Sequence, residues 1–222
     1  VLAQKGFTLK DPGRFQSMTQ DFSAQISSFK QASAQIVTGV VIPPDAKNFL
    51  VQARQQGLKP KVISIGKALL FPTSIEALGD LGDGLSTEVW WSPSHPFKSS
   101  LTGQSARQIA DDYERVTSKQ WTQPIGFAHA LFEIAVDSLK RAKDVDSNEA
   151  IRDAVASTKL ETLVGHVTWG GGPVKNVAKT PLVGGQWRRA QGSGQKHPFD
   201  LAIVNNQLAP SVPLSGPLKL IA

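Results

Sequence analysis

The sequence predicts an α/β fold: a parallel-sheet lobe with helices on both faces, together with part of a second, mainly helical lobe. Three observations predict it. Strand-like and helix-like segments alternate over residues 6–91, which implies βαβ units with right-handed crossovers. The run IVTGVVI at 36–42 is continuous and rich in β-branched residues, as in strands buried on both faces. The pattern then turns helical after residue 104 and returns to strands and turns from His166, so the chain serves one lobe, leaves it and comes back.

In order, Gly6, Phe7, Thr8 and Leu9 form a strand candidate closed by the turn signal Asp11-Pro12-Gly13. A helix capped near Asp21 places Phe22, Ile26 and Phe29 on one face. After strand 36–42, Pro43-Pro44 stops the extended run and Asp45 can cap the next helix. That helix turns Phe49, Leu50 and Ala53 inward and ends at Gly57, a natural left-handed terminator. Residues 61–66 read as the next strand, 74–78 as a short helix, and 85–91 as a further strand. A Ser-, Pro- and Lys-rich connection at 92–104 leads to helices over 105–117, 124–142 and 147–157. The middle helix carries Ile125, Phe132, Val136 and Leu139 near helical spacing. The tail reads as a strand at 166–169, a turn at Gly170-Gly171-Gly172-Pro173, and strands at 182–188 and 201–204.

The chain's 222 residues suffice for a real core, and 40% apolar against 19% charged residues places it among globular chains rather than disordered ones. No run reaches the roughly 18 apolar residues that span a bilayer. The first residues lack the basic and apolar regions of a signal peptide, so any export signal lies outside the visible chain. Cysteine is absent, which excludes disulfides and thiolate chemistry and suits an exported protein. The net charge of +6 is scattered, with one tight cluster at Arg188-Arg189 beside Lys196. Without a basic helix this favours attraction of anionic solutes over nucleic-acid binding.

No enzyme constellation emerges, so no catalytic residue is assigned. The glycine turn at 170–173 lacks a following Gly-Lys-Ser/Thr, and no Gly-x-Ser-x-Gly elbow occurs. Histidines 95, 129, 166 and 197 show no metal spacing, so neither a metal site nor a cofactor is expected. His129 and Glu133 share a helix face as a structural pair, and Asp80 and Asp83 read as solvated turn residues.

In parallel sheets ligands sit outside the carboxyl ends of the strands. That rule selects Ile42 and Pro43 after one strand, Lys67 and Ala68 after the next, and Trp90 and Trp91 after the third. Adjacent tryptophans on a strand face opposite sides, so one can join the core while the other lines a cleft; two buried tryptophans are the alternative. Phe127 and His129, near the start of the long helix, can form a cleft wall or pack inward. Lys67 is either a solvated strand-end lysine or a fixed cation for an anionic ligand.

With those residues laid out, the chain resembles the branched-chain amino-acid-type substrate-binding proteins of ABC importers, which have the type I periplasmic binding fold. The segments carrying the resemblance are 21–26, 36–45, 57–62, the Gly82-Asp83-Gly84 turn and 121–139. It covers essentially the whole chain, but only the C-terminal part of a full family member. The stretch EVWWSPSHP at 88–96 resembles a subgroup associated with aromatic and other carboxylic acids. The resemblance implies an extracytoplasmic, periplasmic capture protein whose two lobes close on a small ligand by hinge motion, with a membrane permease as partner. It assigns about 1–95 and 168–222 to one lobe and 96–167 to the other. The rest of that second lobe is absent, or supplied by a companion chain. Ile42 falls where amino-acid binders often place an aromatic wall. Lys67 falls near their acidic contact to the ligand ammonium, and this departure implies a carboxylate ligand without a nearby amine. A ligand-sensing regulator with the same fold, or a Rossmann-like enzyme, are the competing classes.

Overall fold

The computed structural model describes residues 2–170, 174–193 and 195–221. Along the chain run α1 (Ser23–Gln31), β1 (Ile36–Val41), α2 (Pro43–Gln55), β2 (Val62–Lys67), α3 (Pro72–Glu76), β3 (Ser86–Val89), α4 (Ala106–Thr117), α5 (Pro124–Arg141) and α6 (Asn148–Ala156). They are followed by β4 (Lys159–Thr162), β5 (Gly165–Thr168), β6 (Val183–Arg189) and β7 (Phe199–Asn205). A five-stranded sheet has the order β1-β2-β3-β6-β7, and β4 pairs with β5 in an antiparallel ribbon. The β1–β2 pair is parallel in the register Ile36 to Val62 through Val41 to Lys67, and β2–β3 is parallel at Ser64 and Ser86. The α/β reading therefore holds, with the two βαβ connections running through α2 and α3.

The chain forms two compact units, one of residues 1–88, 185–202 and 217–222, the other of 89–184 and 203–216. In the first, Phe22, which caps α1, and Ile26 of α1 meet Phe49, Leu50 and Ala53 of α2 over Val37, Ile63 and Ile65. The inward faces read from helical spacing are thus the observed ones. Trp187 is fully buried there and its Nε1–H donates to the Leu69 carbonyl at 2.8 Å, which satisfies the one polar atom of a large apolar group. The second unit packs Trp91, Ala106, Ala110 and Ala130 against Leu163, Val164 and Val167. Ser105 begins α4 with a full capping box to Gln108, and Ser147 accepts from the Ala150 N–H at the start of α6.

Several expectations are corrected. Residues 6–9 form no strand, and Phe7 and Leu9 are exposed; a strand needs a partner ladder, and this segment pairs with none among the described residues. The run at 36–41 is a strand but not one buried on both faces: it lies at the sheet edge, with Val40 76% exposed. Pro43 and Pro44 do not merely stop the strand. They occupy the first turn of α2, where a missing N–H costs nothing, and Asp45 makes no capping bond. The strand expected at 85–91 ends at Val89, so both tryptophans lie beyond it. Phe132 and Leu139 of α5 are exposed, while Gly126, Ala130, Glu133 and Ser138 form its buried side. Asp80 and Asp83 are not simply solvated: Asp80 pairs with the Arg189 guanidinium, and Asp83 accepts from the Arg189 N–H at 2.8 Å. Of the glycine turn, residues Gly171, Gly172 and Pro173 lie outside the described residues.

Candidate functional site

The parallel strands β1 and β2 end side by side, with Val41 opposite Lys67. A crevice of about 420 Å³ opens over these ends, lined by Arg14, Phe15, Val41, Ile42, Asp45 and Lys67 among others. Ile42 supplies an apolar wall. Helix α2 begins directly after it, but Pro43 and Pro44 have no N–H to offer, so its first turn is a poor anion cradle. Any anion held here depends on side-chain cations. Lys67 and Arg14 are both exposed and both line the crevice.

Asp45 is the opposing charge. It is buried, lines the crevice and also lines a neighbouring cavity of about 210 Å³, whose walls include Phe15, Phe22, Phe29 and Phe49. Its Oδ1 has no hydrogen-bond partner among the described residues.

Lys67 has an uncommon backbone, with φ 63° and ψ −55°, close to the strained γ-turn geometry that few residues with a Cβ adopt. Its N–H donates to the Glu88 carboxylate at 2.8 Å. The adjoining Ala68 is fully buried, so it offers no surface to a ligand, and Pro43 is half-buried within α2.

The remaining residues singled out from the sequence lie in the second unit. Trp90 donates its N–H to Gln123 Oε1 at 2.8 Å and packs edge-on against Phe127, with centroids 5.5 Å apart. Both keep part of their surface exposed. Trp91 is fully buried, edge-on to Trp121, and its Nε1–H has no partner among the described residues. It belongs to the core, so of the two tryptophans Trp90 alone retains a face. A Cβ on Gly126 would fall 2.2 Å from Trp91 Cγ, so the indole lies flat against bare helix backbone.

His129 and Glu133 do not pair with each other. His129 Nε2 meets Ser99 Oγ at 2.7 Å, and that hydroxyl also accepts from the N–H groups of Leu101 and Thr102. Its lone pairs are used, so its proton goes to the ring nitrogen. Glu133 is fully buried and accepts from Ser100 N–H, Ser100 Oγ and Leu163 N–H. Both side chains tie loops to α5. His95 accepts from the Ser92 N–H at 3.0 Å in a buried turn, and burial lowers its pKa to about 4. No group of His, Asp and Glu among the described residues could hold a metal ion.

The family model for periplasmic binding proteins matches residues 1–193. The chain belongs to that family. Solved structures with the type I fold of these binding proteins are similar to it. A leucine-binding protein from Thermotoga maritima superposes with a TM-score of 0.69 at 21% identity, over 87% of this chain and 51% of that one. A leucine-, isoleucine-, valine-, threonine- and alanine-binding protein from Brucella ovis, in a closed conformation, gives 0.63 at 19% identity over 90% and 50%. A solute-binding protein of an ABC transporter from R. palustris, in complex with benzoate, gives 0.60 at 13% identity over 86% and 50%. At these identities the likeness is one of fold, and the chain spans about half the length of each.

Crevice residues that escaped the sequence reading of this periplasmic binding protein include Arg14 and Phe15. Arg14 and Phe15 come from the segment after Asp11-Pro12-Gly13, where Asp11 accepts from the Gly13 N–H and turns the chain. The turn was legible, but its placement over β1 was not. Asp45 was read as a cap rather than as a crevice residue.

Proposed function

We propose that this chain is part of the extracytoplasmic solute-binding component of an ABC importer, capturing a small carboxylate, aromatic or amino-acid-like, without turning it over. In this reading residues 1–95 and 168–222 form one ligand lobe and 96–167 contribute to the other. Hinge closure buries the ligand, and the closed form is presented to a membrane permease. Ile42, Pro43, Lys67 and Trp90 are the contributors from the first of these lobes, with Phe127 and His129 as contributors from residues 96–167.

The observation that carries the reading is Lys67, an exposed cation on a crevice at the carboxyl ends of two parallel strands, where such sheets receive ligands. Arg14 on the same crevice adds a second cation, and Ile42 with Phe15 gives an apolar surface for the body of an acid. Family membership and the likeness to a benzoate-bound solute-binding protein support the same choice.

The test is an NMR titration of the isotopically labelled chain with benzoate and, separately, with leucine. Benzoate is expected to shift the signals of Arg14, Ile42 and Lys67. Lys67→Gln removes the charge and keeps a polar side chain only one atom shorter, so it should weaken benzoate about ten- to a hundredfold, as for loss of a hydrogen bond to a charged group. Leucine binding through these residues while benzoate leaves them unmoved would refute the proposal, as would unchanged benzoate affinity in the variant.

A further inference from the structure

We infer that Glu88 is a positioning residue for the crevice, which holds the strained Lys67 peptide so that the lysine side chain leaves the sheet toward the ligand. The inference rests on the reading of Lys67 as the anion contact. Three independent features of this corner support it. Lys67 adopts φ 63° and ψ −55°, a geometry that persists only where surrounding groups hold it. Its N–H, which continues the strand no further, is taken by Glu88 Oε1 at 2.8 Å. Gly66, just before it, leaves its Cβ position to the Glu88 carboxylate, since a Cβ there would lie 2.8 and 3.2 Å from the two oxygens and would displace them.

The carboxylate therefore sits over a bare backbone position and grips the next peptide. Thr87 Oγ1 donates to Glu88 Oε2 at 3.1 Å and fixes the carboxylate's second oxygen. A charge-assisted bond of this kind is stronger than one between neutral groups, so it can hold a turn that a lysine would otherwise leave. Direction matters here. At an extended φ the residue after β2 would continue the pleat and point its side chain along a different path. The left-handed φ turns it out over the strand ends. Glu88 also explains why a carboxylate lies near an anion site without defeating it: its oxygens are engaged by the Lys67 N–H and Thr87.

The test measures benzoate affinity by NMR, the Lys67 amide shift and the melting temperature in the labelled chain. Glu88→Ala should move the Lys67 amide signal upfield and weaken benzoate about as much as Lys67→Gln does. In a Lys67→Gln background it should add less than about twofold, because two changes acting through one contact are not additive. Glu88→Gln keeps an acceptor and should restore benzoate affinity to within a few-fold of the parent. Gly66→Ala, which displaces the carboxylate without removing it, should reproduce the Glu88→Ala signature if that variant fails to fold. The inference is overturned if Glu88→Ala weakens benzoate equally in both backgrounds, or if the Gln variant is as damaging as the Ala variant. It is also overturned if the Lys67 amide stays in place. If Lys67→Gln alone leaves benzoate unaffected, the proposed function fails instead, and the amide shift still decides whether Glu88 holds the turn.

Discussion

Acidification should loosen the second unit through His95. The imidazole is buried in the turn after the two tryptophans, packed against Phe97, and accepts the Ser92 N–H on Nδ1. Its Nε2 has no partner among the described residues. Burial lowers the pKa from 6.5 to about 4. The folded value lies below the unfolded one, so the unfolded chain takes up the proton first. The stabilisation is fully present above about pH 6.5 and is lost as pH falls toward 4. A difference of about 2.5 units corresponds to roughly 3 kcal/mol once the loss is complete, and to about 2 kcal/mol near pH 5. Urea melts followed by tryptophan emission, repeated across this range, read the slope. A His95→Asn variant, which retains an acceptor for the Ser92 N–H but cannot titrate, should flatten it. An imidazole that titrates near 6.5 by NMR, or a variant with the parent's slope, would refute the argument.

Three further outcomes are expected. Gly126→Ala drives a methyl into the Trp91 ring and should destabilise the second unit by about 1–3 kcal/mol or more, seen as a lower melting temperature and altered tryptophan emission; an unchanged melt would mean that the indole can move aside. Glu133→Ala leaves the Ser100 and Leu163 N–H groups without their acceptor and should cost about 3 kcal/mol, read by denaturant melts. Hydrogen exchange should then accelerate at those two amides first. Asp45→Asn removes the one buried carboxylate of the crevice: benzoate should bind a few-fold more tightly by reduced like-charge repulsion, whereas weaker binding of leucine would identify Asp45 as an ammonium contact.

The βαβ order was legible because it rests on local signals that survive without tertiary knowledge. The β-branched run of β1, the double proline that ends the extended run before α2 and Gly57 with φ 68° closing that helix each mark an element or its limit from within a few residues. What escaped depends on partners distant in sequence. Residues 7–9 of the expected strand carry strand-like side chains, but a strand is made by its neighbour. The ribbon strand β4 alternates Lys159, Leu160, Glu161 and Thr162, and its two charged residues hid it beside β5, which carries no carboxylate or lysine. Helix α5 is apolar on more than one side, so spacing alone could not separate the buried Ala130 and Glu133 from the exposed Phe132.

For the site, the strand-end rule found the place and chain geometry decided which residues face it. The rule selects pairs of consecutive residues, yet consecutive residues diverge: Lys67 is exposed while Ala68 is fully buried, and Trp90 keeps a face while Trp91 is sealed in the core. A left-handed φ at Lys67 is invisible in sequence, because it belongs to a residue type that does not advertise it. The signal that could have found it lies one residue earlier and one strand over. Gly66 at the end of a strand marks a close approach of some other group, and Glu88 near the end of the next parallel strand is the group with the reach and charge to make it. The charge balance of the crevice follows from the same geometry. Its cations reach it on exposed side chains, while Glu88 is engaged by its neighbours and Asp45 lies buried in the first turn of α2. An incoming carboxylate therefore meets Lys67 and Arg14 before it meets either acid.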